Sequence, residues 1–167
     1  MTTNDLIELS NAKPMYFSYG QFFAYDQNET QPGSLWTDEH VAQGFVRRKR
    51  ALAIGTLTEY GVATLHVFRG HTVLLDEYDR VISVPIELES GILCIDGPEE
   101  YPIQRSIKVP PGQYQLLAAQ SRVSETELRI DLFLDHWIKT DLKSRVLKAD
   151  ESLQVSSTLL ETGDVAP

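Results

Sequence analysis

The sequence predicts a mainly β protein, an antiparallel β-sandwich with one short helix inserted after the first strand. Several short runs alternate apolar with polar residues, and Gly and Pro turn signals separate them at regular intervals. Only one segment combines an N-cap residue with helical spacing of apolar residues. A chain of 167 residues is typical of one domain. We expect that domain over residues 14–138, between an N-terminal extension (1–13) and a partly disordered C-terminal extension (139–167).

The first predicted strand, Pro14–Tyr25, carries aromatic residues on both of its sides. Such a pattern is typical of a strand that is covered on two faces or bent at Gly20. Thr37 then predicts the N-cap of a short helix over residues 38–46. The basic run Arg47–Arg50 follows at once, where it would complement the negative end of the helix dipole.

The later strands are predicted from alternation and from the turns that bound them. The runs 51–58 and 60–68 are close enough to form a tight hairpin. Pro85 removes one backbone donor from its strand, which favours an edge position or a bulge. Gly112 would supply the positive φ of a turn after two prolines. The other predicted strands cover residues 80–89, 92–95, 103–109, 113–120 and 127–138.

The charge balance is acidic and uneven. The chain has 24 Asp and Glu against 15 Lys and Arg, a formal net charge of −9, and residues 71–139 alone carry 12 acids and 6 bases, a net −6. Such a field attracts a basic protein and disfavours direct nucleic-acid binding, although solubility alone also favours acidity. The polar, acidic beginning and the lack of any long apolar run predict a cytoplasmic protein without membrane insertion.

Sequence motifs of catalysis and metal binding are missing. The chain has no glycine-rich phosphate loop and no H-E-x-x-H, and its four histidines lack the spacing of metal ligands. Cys94 lies in an apolar run, which predicts a buried, inert thiol. We therefore expect no catalytic residue, no metal and no cofactor, and these absences favour a binding protein.

A series of short motifs runs along the chain in a characteristic order. The series is Ser18-Tyr19-x-Gln21-Phe22, Trp36-Thr37-Asp38-Glu39, Gly44 before an aromatic residue, Val84-Pro85, Gly91-Ile92-x-x-Ile95 and Val109-Pro-x-Gly112-x-Tyr114-x-Leu116. In this order it resembles the competence protein J (ComJ) family over about residues 14–138. The resemblance implies an acidic β protein that binds and inhibits a DNA-degrading nuclease, either a competence nuclease or the partner in an immunity pairing.

If the chain inhibits a nuclease, exposed acids are the expected contacts, because carboxylates can imitate phosphates in a basic DNA-binding cleft. The candidate partner-binding residues are Asp76, Glu77, Asp79, Glu99 and Glu100, with Asp38 and Glu39 as a second group. For that second group the alternative role is to stabilise the first turn of the helix.

Two other classes of function stay open. The aromatic residues of Pro14–Tyr25 are compatible with a ligand-binding β-sandwich without enzymatic activity, for a carbohydrate or a calcium-dependent lipid contact. A hydrolase that uses His66 or His136 with nearby carboxylates is the third class.

Overall fold

A computed structural model of the chain describes residues 7–9, 13–29, 33–70, 74–101, 105–136 and 142–166. It contains twelve strands, one α-helix and one 3₁₀ turn at Leu75–Glu77 within these residues. The strands are β1 (Ile7–Glu8), β2 (Lys13–Phe17), β3 (Gln21–Asp26), β4 (Phe45–Arg48), β5 (Ala51–Gly55), β6 (Gly61–Arg69), β7 (Arg80–Leu88), β8 (Ile92–Asp96), β9 (Ser106–Lys108), β10 (Gly112–Arg122), β11 (Glu127–His136) and β12 (Arg145–Lys148), and the helix is α1 (Asp38–Gln43).

The strands form two sheets. The seven-stranded sheet has the order β1-β6-β11-β10-β7-β12, with β2 also paired to β6, and the five-stranded sheet has the order β4-β5-β3-β8-β9. Among the described pairs only β6 and β11 run parallel, from Val62 opposite Glu127 to Arg69 opposite Leu134. The predicted mainly β sandwich with one short helix is therefore confirmed, with one parallel pair as a departure from the antiparallel rule.

The core lies between the two sheets and takes apolar side chains from both. The clear alternation predicted for residues 127–138 is seen in β11, which points Leu128, Ile130, Leu132 and Leu134 into the core. Phe22 and Phe45 enter from the other sheet and are fully buried. Among the described residues, no helix combines the length and apolar character that crossing a bilayer would need.

The predicted first strand is two strands in two different sheets. β2 pairs with β6 and β3 pairs with β5 and β8. Tyr19 and Gly20 separate them with φ of 56° and 65°, as the central residues of a type I′ turn require. Phe17 and Phe22 both enter the core from opposite sheets, which explains why both sides of this segment are aromatic.

The predicted hairpin between residues 51–58 and 60–68 is wrong. β5 pairs with β3 and β4, whereas β6 pairs with β1, β2 and β11 of the other sheet. The connection at residues 56–60 therefore carries the chain across the sandwich. Because the apolar patterns of paired and crossing strands are the same, alternation could not distinguish the two arrangements.

Thr37 is the N-cap of α1, as predicted. Its hydroxyl accepts a hydrogen bond from the backbone of His40, and Gly44 ends the helix with a φ of 88°. The helix is thus shorter than predicted, and Arg47 and Arg48 belong to β4. The prediction that the basic run complements the helix dipole is wrong: its members pair with Glu161, Glu29, Glu87 and Glu89.

Residues 142–166, which we call the strap, pack against both sheets although the prediction set 139–167 apart as an extension. β12 pairs with the open side of β7 but stops at Ser83, so Pro85 has no partner on that side in the described chain. Asp150 then accepts a hydrogen bond from Arg80 (Nε–Oδ1 2.7 Å). Farther on, the Gln43 side chain bonds to both backbone groups of Leu160. Residues 139–141 and 167 lie outside the described residues.

The Arg80–Asp150 pair predicts a specific pH dependence of stability. Burial opposes ionisation of Asp150, but hydrogen bonds from Arg80 and Ser152 lower its pKa from 3.8 to about 2. A lowered carboxyl pKa stabilises the fold above pH 3.8, and this contribution disappears as the pH falls towards 2. Between pH 5 and pH 2 the wild type should lose about 2 kcal/mol more than Asp150→Asn. Urea unfolding of both proteins tests this, and parallel pH profiles would contradict it.

Candidate partner-binding surface

One end of the sandwich collects the connections between the sheets. There β3, β6 and β7 begin and β5, β8 and β10 end, as their registers require. Two backbone hydrogen bonds, Gly20 N to Glu59 O (2.7 Å) and Thr56 N to Gly20 O (2.9 Å), join the crossing segments. We name this surface the acidic end; it consists of residues 16–20, 56–60, 76–79, 97–101 and 122–126, together with α1.

The structure brings all the predicted partner-binding residues to the acidic end. Asp76 and Glu77 lie in the 3₁₀ turn before β7, with Asp79 directly after it, and Glu99 and Glu100 follow β8. Asp38 and Glu39 form the first turn of α1, whose Val41 lies near the loop residues Tyr19 and Thr56, although Glu39 itself borders the strap. Five of these seven side chains are exposed and also lack a hydrogen bond or ion pair in the described structure: Asp38, Glu39, Asp76, Glu77 and Glu99.

Glu100 and Asp79 are engaged within the protein. Glu100 receives hydrogen bonds from Arg105 (Oε1–Nη1 2.7 Å, Oε2–Nη2 2.8 Å) and from Gly97 N (2.8 Å). Burial opposes its ionisation, yet these hydrogen bonds lower its pKa. Asp79 accepts from the backbone N–H of Arg122 at 2.8 Å. Both carboxylates hold loops in place, which makes them weaker candidates for contact with a partner.

Sequence reasoning missed further residues of this surface. Glu59 and Glu125 are exposed here, and four tyrosines project from the same loops: Tyr16, Tyr19, Tyr60 and Tyr101. Tyr101 is 82% exposed and Tyr19 71%. The dipeptide Glu-Tyr begins at residues 59, 77 and 100. At 59 and 100 its tyrosine is exposed and gave the available signal, because tyrosine is enriched at protein interfaces, whereas Tyr78 is buried.

Two basic side chains at the other end are matched by acids. Lys49 and Arg50 form the turn between β4 and β5 and pair with Glu87 at 3.4 and 3.3 Å. Arg50 also contacts Glu89 at 3.0 Å. These two cations are thus matched by acids, whereas five of the predicted acids at the acidic end have no hydrogen bond or ion pair in the described structure.

The groups considered for catalysis do not assemble into a site. Burial raises the pKa of the Cys94 thiol to about 11, so it is protonated at neutral pH. His66 stacks on Phe68 and contacts Glu8, while His136 stacks on Tyr114. Within the described residues, no cluster of three or more His, Cys, Asp or Glu is arranged to hold a metal ion.

Fold and surface together define a class of protein: a two-sheet β-sandwich that presents carboxylates and tyrosines on the loops of one end. The chain belongs to the Competence protein J (ComJ) family, whose model matches residues 14–137. The matched region includes the whole acidic end, whereas the strap lies beyond it.

A solved structure shares this fold. The crystal structure of ComJ from Bacillus subtilis, described as an inhibitor of the DNA-degrading activity of NucA, superimposes with a TM-score of 0.64 at 19% identity and covers 77% of this chain and 98% of that one. A protein described as crocagin biosynthetic gene J matches with a TM-score of 0.48 at 16% identity, over 77% of this chain and 96% of its own. No curated protein matches the chain in sequence.

Proposed function

We propose that this chain binds and inhibits a DNA-degrading nuclease in the cytoplasm, without turnover of its own. Its acidic end occupies the basic cleft with which the nuclease holds DNA. Family membership supports the class of partner. The single observation that carries the mechanism is that one end of the sandwich gathers all the exposed acids predicted for contact.

The charge distribution fits this mechanism. A nuclease must present cations to the DNA backbone, and a surface of fixed carboxylates competes for the same cations. Asp38, Glu39, Asp76 and Glu99 are the predicted residues that are most available, and Glu59 joins them from the neighbouring loop. Electrostatic attraction of this kind accelerates association and weakens as salt is added.

The test is inhibition of DNA cleavage by a panel of nucleases, with NucA of Bacillus subtilis among them. We expect the wild type to block at least one nuclease at stoichiometric concentration. The double variant Glu59→Gln/Glu99→Gln should weaken inhibition about tenfold at low salt, since each lost charge contact contributes about 0.7 kcal/mol.

A matched control removes two charges outside the acidic end. Glu8→Gln/Glu89→Gln produces the same net charge, and both side chains are partly exposed on the far half of the molecule. We expect this variant to inhibit within about twofold of the wild type. Equal losses in both variants would mean that net charge alone matters, and undiminished cleavage with excess wild type would overturn the proposed function.

The ligand-binding alternative loses its main support. The aromatic residues of Pro14–Tyr25 do not line one platform, because Phe17, Phe22 and Tyr25 are buried while Tyr16 and Tyr19 are exposed. The segment is divided between two sheets. Its aromatic content therefore reflects the core of the sandwich and the tyrosines of the acidic end.

A further inference from the structure

A cleft of about 410 Å³ opens at the acidic end between the turn that follows β2 and the helix α1. Its walls are largely apolar or aromatic, and glycine backbone forms part of its floor. Its lining includes Tyr19 from the turn, Trp36 and Val41 before and within α1, and Leu153 of the strap.

Tyr19 is held in an unusual position beside this cleft. Its φ of 56° lies in the left-handed region, and it is the only described residue other than glycine with a positive φ. An asparagine or glycine would adopt this conformation with less strain. Burial of the side chain does not compensate for this backbone strain, because the ring is 71% exposed. Backbone strain that a protein keeps without such compensation is typical of functional positions.

Trp36 is fixed by a different contact. Its indole N–H donates to Oε1 of Gln21 at 2.7 Å, which anchors the ring at the start of β3. Two aromatic side chains are thereby placed around one opening. Aromatic faces attract a cation within about 6 Å of the ring centre.

Three exposed acids are close neighbours of cleft residues along the chain or along α1. Asp38 lies one helical turn before Val41 and so shares its face of α1. Glu59 follows the cleft residue Thr56 and is joined to Gly20 through its backbone, and Glu151 precedes the cleft residue Ser152. All three are exposed.

The one cation in the cleft wall is already matched. The Arg80 guanidinium pairs with Asp150 and donates to Gly55 O (2.9 Å) and Ser152 Oγ (2.8 Å). Since each of its nitrogens has a partner, Arg80 adds little net positive charge. The cleft is thus lined mainly by apolar and aromatic residues, its arginine is paired, and exposed acids follow or precede its lining residues.

We propose that this cleft receives one lysine or arginine side chain of the nuclease, an inference that rests on the proposed function. The aliphatic stem packs against Val41 and Leu153, and the charged group lies over the aromatic rings near Asp38 and Glu59. Because Ser152 and Leu153 lie outside the matched family region 14–137, the strap also tunes which partner side chain this chain accepts.

Opposite charges at Val41 test the sign of the occupant. Val41 is 59% exposed on α1, so either substitution should leave the fold intact. A cationic occupant is repelled by Val41→Arg, for which we expect about 50-fold weaker inhibition, whereas Val41→Glu loses only the apolar contact with the stem and should weaken inhibition about fivefold. Equal losses from the two variants would overturn a cationic occupant.

A second pair of variants tests the ring of Tyr19. Tyr19→Asn creates Asn-Gly, a sequence favoured in type I′ turns, and so should not reduce stability. We expect it to weaken inhibition about 30-fold, as loss of an interface hot spot does. The comparison variant Tyr101→Asn removes a similarly exposed tyrosine of the acidic end that lies outside the cleft, and it should weaken inhibition by only about threefold. Retained inhibition in Tyr19→Asn would overturn the inference.

These outcomes separate the inference from the proposed function. If Glu59→Gln/Glu99→Gln weakens inhibition while the Tyr19 and Val41 variants behave as wild type, the cleft inference falls and the proposed function stands. If the wild type inhibits no nuclease, both fall. Much weaker inhibition in Tyr19→Asn and Val41→Arg, with only small losses in Tyr101→Asn and Val41→Glu, supports both.

Discussion

Removal of residues 150–167 is expected to lower the free energy of unfolding by about 5 kcal/mol or more. The truncation leaves the Arg80 side chain, only 4% exposed, without its carboxylate, and breaking a buried ion pair on one side costs about 3–5 kcal/mol. It also removes Leu153 and Leu159 from the edge of the core. Urea unfolding monitored by circular dichroism measures the loss, and an unchanged unfolding midpoint would contradict it.

The substitution Arg80→Met distinguishes the cost of leaving the Arg80 charge unpaired from the cost of losing the packing of Leu153 and Leu159. In the truncated chain this substitution should restore about 3 kcal/mol, because it removes the unpaired cation. In the full chain it should destabilise, because Asp150 then loses its partner. Arg80→Met also removes the hydrogen bond from Arg80 to Gly55 O. Because Gly55 O keeps a hydrogen bond from Gln120 Nε2 (2.8 Å) in both chains, this loss does not leave the carbonyl unpaired in either one. The same response in both backgrounds would show that the ion pair is not responsible.

Gly97→Ala should destabilise the protein by about 3 kcal/mol, the upper part of the range for an overpacked core. A Cβ at this buried glycine would lie 1.8 Å from the Tyr16 carbonyl oxygen and 2.9 Å from its carbon. Both neighbours are backbone, so relief requires movement of β2 or of the loop that carries Glu99 and Tyr101. Chemical unfolding gives the loss of stability, and the nuclease assay shows whether the acidic end is displaced with it.

Gly33→Ala is the matched control. Its Cβ would meet only Ala166 Cβ at 4.0 Å, an ordinary van der Waals contact, so we expect a change within about 0.5 kcal/mol. If both substitutions changed stability by similar amounts, the loss at Gly97 would come from the change in backbone freedom and not from the clash with Tyr16.

Local signals in the sequence predicted the elements whose structure depends on near neighbours. Thr37 was recognisable as an N-cap because its partner, His40, is three residues away. The alternation in β11 was recognisable because one face packs on the core throughout. Both signals are short-range, and the structure confirms them.

Crossings between sheets were not predictable in this way. A strand before a crossing and a strand before a hairpin have the same alternation, so the connections at Gly20 and at residues 56–60 were misassigned or left open. The strap was also missed, because many of its contacts are polar. Its side-chain and backbone hydrogen bonds, such as those between Gln43 and Leu160, join residues 117 apart in sequence.

The acids of the candidate surface were identifiable as loop residues, but their proximity was not. Asp76, Glu99 and Asp38 come from three separate connections, and only the strand order brings them to one end. The cleft beside them depends on a strained Tyr19 and on Leu153 of the strap. No local pattern links those two residues.

The pairing of Arg80 with Asp150 has a consequence for the chain as it is being synthesised. The two residues are 70 positions apart, so a nascent chain places the arginine in the forming sheet long before its carboxylate has left the ribosome. Until then the cation must stay hydrated, which delays docking of β7. At about 5–20 residues per second, this interval lasts several seconds. A chain that ends before Asp150 should therefore hold Arg80 without its partner and be less stable than the chain that contains it.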